Sequence, residues 1–186
     1  MIKIRLVLHN IRSVYNVGAI LRTAEGLGVE SVIFSGYTPR YDDPGLLPHL
    51  RAKLNHQIEK SALGAEKLVS RQILAHSTPE EDITLLTNAM KCAIMERYTI
   101  VGLENNLSSA ELPRQLILGQ TTTRTGERVD FSKGVYLILG EEVNGIPAAI
   151  RQQVDYFLEI PMQGQKESFN VSVATGIAVW GLQNCY

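Results

Sequence analysis

The sequence predicts an α/β fold, a mostly parallel sheet flanked by helices. Three observations carry this. Short apolar runs alternate with longer stretches of helical apolar spacing along the chain. Glycines and prolines punctuate the boundaries between them. The 186 residues fit one domain, 1–186, with no repeat, low-complexity tract or Pro/Gly/Ser-rich linker to divide it.

Residues 3–8 alternate charged and apolar side chains and read as a strand. Asn16 to Leu27 has helical spacing, with Asn16 as a candidate cap and Gly28 as the stop. Ser31 to Phe34 is a short second strand, followed by a turn-rich stretch from Tyr37 to Pro48. A helix is predicted over 54–63 and a strand over 67–74. Ser77 or Thr78 caps the next helix. Pro79 sits in its first turn, and Glu80 and Glu81 complement the positive end of its dipole. Tyr98 to Leu103 is a strand, and 105–133 is a long polar connection. Then come a buried strand over 134–139, a short helix over 147–153, a strand over 156–160 and a last helix from Ser168 to about Asn184.

The composition, 45% hydrophobic and 20% charged, is that of a globular domain rather than a disordered chain. No apolar run approaches the roughly 18 residues that span a membrane, and the N-terminus lacks the apolar core of a signal peptide. Cys92 and Cys185 are too far apart to suggest a disulfide framework or a metal site. These features predict a cytoplasmic protein with reduced thiols. The net charge of -1 is unevenly spread: residues 1–60 hold 8 Lys+Arg against 5 Asp+Glu, out of 18 and 19 in all. A basic patch in the N-terminal third would meet phosphates, although scattered solvated charges explain the same count. There is no GxxxxGK[ST], HExxH or CxxC, and Gly26-Leu27-Gly28 follows a helix where a dinucleotide fingerprint must follow a strand.

Three segments carry candidate chemistry. Asn10 to Ala24 joins a strand end to a helix start and holds Arg12, Asn16 and Arg22. By itself it reads more readily as a capped helix with solvated arginines. Leu137-Ile138-Leu139-Gly140-Glu141-Glu142-Val143-Asn144-Gly145-Ile146-Pro147 brings a strand to a glycine that exposes backbone to a ligand, followed by two carboxylates. A plain strand-turn-helix connection accounts for it as well. In Glu159 to Gly176, Pro161 ends regular pairing, Ser168 is a candidate N-cap, and Asn170 falls in the first helical turn beside free N–H groups. Caps and small residues do not explain that whole arrangement.

In this order, the three segments resemble the SpoU/TrmH-type RNA ribose 2′-O-methyltransferases of the SPOUT superfamily. They match its N-x-x-x-x-x-R, LG-x-E-x-x-G and IPM-x-G-x-x-x-S-[LF]-NVS-x-A motifs, and the last is the most specific. Glu141 departs from the family, which often has Asn there. The 105–133 connection looks longer than usual. The resemblance implies a C-terminal deep trefoil knot, which sequence physics would not propose, and a homodimer with sites completed near the interface. It implies methyl transfer from S-adenosylmethionine to a ribose 2′-hydroxyl of tRNA or rRNA, leaving S-adenosylhomocysteine. No metal and no separate RNA-binding domain are expected.

By the same resemblance, Leu103, Gly140, Ile160, Met162, Ser168 and Phe169 hold the cofactor. Arg22, Asn16, Glu142, Ser168 and Asn170 form the catalytic group. An arginine stays protonated, so Arg22 is expected to bind the adjacent phosphate and stabilise developing alkoxide rather than act as a general base. Arg12, Arg22, Arg40, Arg51 and Lys53 are the candidate RNA contacts. Two other readings stand beside this one: a knotted methyltransferase acting on an RNA base, and a non-catalytic RNA-binding member of the fold.

Overall fold

The computed structural model describes residues 1–74, 78–105 and 107–186. Seven parallel strands form one sheet in the order β3-β2-β1-β6-β4-β7-β5. They are β1 (Ile4–His9), β2 (Ser31–Ser35), β3 (Arg71–Ile73), β4 (Thr99–Leu103), β5 (Gln115–Ile117), β6 (Val135–Leu139) and β7 (Tyr156–Glu159). The helices are α1 (Val14–Gly26), α2 (Pro48–Ala62), α3 (Ala65–Leu68), α4 (Pro79–Met95), α5 (Ala148–Arg151) and α6 (Val171–Cys185). Among the described residues no helix is long and apolar enough to cross a membrane.

The central strands are buried on both faces, which explains their continuous apolar runs. Side chains alternate between two cores. Leu6, Leu8, Val32, Phe34, Leu137 and Leu139 join the core under α1, α2 and α6. Val7, Ile33, Tyr136 and Ile138 join the core on the other face with Leu86 and Met90 of α4 and Ile150 of α5.

Several boundaries differ from expectation. Ser13, not Asn16, caps α1: its hydroxyl accepts from Asn16 N at 3.3 Å. Asn170, not Ser168, caps α6, accepting from Ser172 N at 2.9 Å. Helix α2 begins at Pro48, whose fixed φ suits a first turn. The strand expected over 67–74 begins as the short helix α3, and β3 covers only 71–73. The connection 105–133 contains β5, which pairs with β7 at the sheet edge.

Thr78 caps α4 by accepting from Glu81 N at 3.2 Å; Ser77, the other candidate, lies outside the described residues. Thr78→Ala is expected to cost about 1 kcal/mol, measured as a lower urea midpoint at unchanged slope. An unchanged midpoint would contradict the cap.

Candidate functional site

In an open α/β sheet, ligands bind beyond the carboxyl ends of the strands. Here β4, β6 and β7 are adjacent and end together around a cleft of about 460 Å³. Leu103 closes β4, Leu139-Gly140 leaves β6, and Ile160 follows β7. Ser168, Phe169 and Asn170 form the far wall before α6. Met162 is half-buried and outside the lining.

The loop after β6 is built tightly. Glu141 and Gly145 exchange two backbone hydrogen bonds, 3.1 and 2.9 Å. Gly145 turns the chain with φ +67°, a left-handed conformation that favours glycine. Gly140 has no space for a side chain: a Cβ there would lie 2.3 Å from the Gly145 carbonyl carbon and 2.4 Å from Ile146 N. The loop therefore presents bare backbone to the cleft.

Glu142 reaches from this loop to the start of α1. It accepts from the Arg12 and Ser13 amides at 3.2 and 3.4 Å, and from Asn16 Nδ2 at 3.3 Å. A carboxylate is favourable at a helix N-terminus, where backbone N–H groups are unpaired. Asn170 Nδ2 then donates to Asn16 Oδ1 at 3.2 Å. Because Ser13 does the capping, the Asn16 side chain is free to bridge Glu142 and Asn170. Three of the five expected catalytic residues thus form one relay, and Ser168 lines the same cleft. Arg22 does not join them. It is exposed on α1, six residues or about 1.7 turns beyond Asn16. Its side chain makes no hydrogen bond or ion pair with any described residue.

Of the expected RNA contacts, Arg12 is ion-paired with Glu141 and hydrogen-bonded from Nε to the Tyr37 hydroxyl at 3.2 Å. Its guanidinium is the more firmly protonated for it, through Tyr37 first and Glu141 second. The Glu141 carboxyl is held below its ordinary range, chiefly by Asn144, whose Nδ2 donates at 2.7 Å. The carboxylate that departs from the family pattern therefore anchors Arg12. Arg40 is largely buried and pairs with Asp43 at 2.9 Å, and Arg51 lies 3.8 Å from Asp42. Lys53 is exposed on α2.

Sequence reasoning missed the charged wall of the cleft. Arg151 binds Glu111 through two contacts of 2.5 and 2.6 Å and Glu104 at 3.0 Å. This holds the Glu111 carboxyl down at about 2, with Arg151 the main cause. These residues are 7 to 47 positions apart, so only their charge type was visible.

His9 was also overlooked. It is buried at the end of β1, with Nδ1 2.9 Å from Ser35 Oγ and Nε2 3.2 Å from Asn10 Nδ2. The Tyr37 amide donates to Asn10 Oδ1 and fixes that amide's orientation. Asn10 Nδ2 therefore donates to His9 Nε2, and the ring is neutral with its proton on Nδ1. Burial pushes His9 down to about 4, against an opposing pull from Glu141. The unfolded chain thus binds this proton more tightly than the folded one. Stability from His9 is complete above pH about 6.5 and falls as pH drops toward 4. His9→Gln is expected to flatten the melting temperature over that window. An equally steep fall in both proteins would remove His9 from the account.

The match to known proteins follows this geometry. The model of the SpoU rRNA methylase family matches residues 3–180. The chain belongs to the SpoU rRNA methylase family. One relative is the 23S rRNA (guanosine-2′-O-)-methyltransferase RlmB of Escherichia coli K12, 31% identical over 176 residues. That match covers 94% of this chain and 57% of the relative, so the chain spans little more than half the length of such relatives. An AdoMet-bound rRNA methyltransferase from Sinorhizobium meliloti shares the fold with a TM-score of 0.67 at 21% identity, over 97% of this chain and 56% of that one. A TrmH/SpoU tRNA modifying enzyme of A. aeolicus does so with a TM-score of 0.66 at 21% identity, over 98% and 75%. Of the three segments singled out in the sequence, the second and third line the cleft, and the first meets them through Asn16.

Proposed function

We propose that this chain binds S-adenosylmethionine in the cleft and transfers its methyl group to a ribose 2′-hydroxyl of RNA. One observation carries the reading: bare backbone after β4, β6 and β7 meets the Asn16–Glu142–Asn170 relay at a single cleft. The cleft's volume is in the range of small-molecule sites, and its mixed apolar and backbone-polar lining suits an adenosyl group. Leu103, Gly140, Ile160, Phe169 and Ser168 would hold it, with Met162 on the same loop.

The cofactor supplies an electrophilic methyl on a sulfonium, so no metal is needed to activate it. The chain's own part is positioning. Asn16, Glu142 and Asn170 keep the three loops in register beside the methyl-bearing end. Arg12 and Lys53 meet RNA phosphates, and Arg40 and Arg51, which pair with Asp43 and Asp42, are the further candidates. Arg22 stabilises the developing alkoxide from a neighbouring subunit. That assignment is supported by its place in α1 next to Thr23, which lines a groove with Leu27, Ile177 and Trp180, and Trp180 is 57% exposed. A homodimer through this face would bury that surface. A trefoil knot is part of the same reading: the 160–170 segment passes the residues after β4 and is pinned to them before α6 begins.

The reaction belongs in the cytoplasm. Ribosomal RNA is the first substrate class, because the 31% identical relative is named for 23S rRNA. The test is labelled methyl transfer onto total RNA, fractionated by size, with the methyl then mapped. Label on a ribose of large rRNA is expected. Label in the tRNA fraction moves the substrate, label on a base moves the chemistry, and no label removes the enzymatic reading.

A further inference from the structure

The residues that directly follow β4 belong to none of the three motif segments, yet they touch both cofactor loops. The last backbone rung between β4 and β7 runs from Glu104 N to Leu158 O, 3.1 Å. Beyond it the chain after β7 meets Pro161, which has no N–H to continue a ladder. The Asn105 side chain takes over. Its Oδ1 accepts from Ile160 N at 3.4 Å, and its Nδ2 donates to Ile160 O at 3.1 Å and Glu167 O at 3.3 Å. One amide thereby closes the base of the 160–167 loop, immediately before Ser168 and Phe169.

Glu104 does the same for the other loop. Its Oε2 accepts from Ile146 N at 3.3 Å and packs so closely on Gly145 that a Cβ there would lie 2.2 Å away. Arg151 holds that oxygen at 3.0 Å and is itself held twice by Glu111. Two consecutive residues therefore fix the two loops that must stay in register for a ligand to bridge them.

We infer that Glu104 and Asn105 are positioning residues whose joint clamp sets affinity for the adenosyl ligand. This rests on the function proposed above. The probe is S-adenosylhomocysteine, titrated by calorimetry into the full chain. Asn105→Asp keeps the shape but replaces the donor to two carbonyls with a carboxylate. Leaving the carbonyl of buried Ile160 without its donor is expected to weaken binding about tenfold or more, with little change in melting temperature. The affinity should recover relative to the unsubstituted chain as pH falls, because a protonated carboxyl donates as the amide did. A merely structural role would give no such pH profile. Equal affinity at all pH values overturns the clamp.

Glu104→Gln should weaken binding by a smaller factor, since it keeps an oxygen for Ile146 N and loses the charge that Arg151 holds. If either variant fails to fold, amide exchange in the unsubstituted chain decides. Ile146 and Ile160 amides must be protected without ligand, and free exchange at both overturns the inference. No binding by the unsubstituted chain refutes the proposed function itself, which separates the two failures.

Discussion

Gly140→Ala is expected to remove most of the cofactor affinity while leaving the sheet intact. The added methyl would lie 2.3, 2.4 and 2.5 Å from backbone atoms of Gly145 and Ile146. None of these can swing aside as a side-chain tip would. They belong to a loop closed by the Glu141–Gly145 pair of hydrogen bonds and pinned by Glu104. Relief therefore means opening the loop, at a cost of about 1–3 kcal/mol for forced repacking. If all of it appears as lost preorganisation, affinity falls about 5–150-fold. Calorimetry with S-adenosylhomocysteine measures this directly. Binding within twofold of the unsubstituted chain would mean that the loop after β6 does not shape the site.

Arg22→Ala is expected to lower methyl transfer by about 10²–10³-fold, the usual effect of deleting one stabiliser of transition-state charge. Cofactor affinity should not change, because Arg22 is outside the cleft lining of its own chain. The subunit arrangement has its own test. Chains carrying Arg22→Ala or Gly140→Ala should each be nearly inactive. After mixing and reassociation, a two-fold dimer with shared sites should regain roughly a quarter of full activity. Here one intact crevice takes its arginine from the other chain. Full activity of Arg22→Ala on its RNA would refute the catalytic role. Failure of the mixture to recover would refute the sharing.

Much of the fold was legible because its signals are local. The central strands are short, apolar and bounded by turn residues, and burial on both faces makes such runs continuous. Gly140 stood out as a glycine at a strand end and Gly145 as the second glycine before Pro147, and the structure makes both necessary. Capping was harder to read. Ser13 and Asn16, like Ser168 and Asn170, are good caps within a turn of each other. The choice depends on which side chain has a competing partner, and Glu142 is 126 residues from Asn16. The separation of Arg22 from Asn16 was not read from the sequence, although residues six apart on a helix lie about 120° apart around its axis.

The sequence by itself determined most of the order of strands and helices, though not α3 or β5, together with the three motif regions and the family to which they point. Each depends on residues adjacent in the chain or repeated at a fixed period. Only the tertiary structure decided that the second and third regions line one cleft and that the first is tied to them through Asn16. It also showed that Asn16 bridges two loops rather than capping its helix, and that Glu104, Asn105, Glu111 and Arg151 build the supporting wall. Those are contacts across tens of residues, set by strand order and loop closure, and no local propensity encodes them.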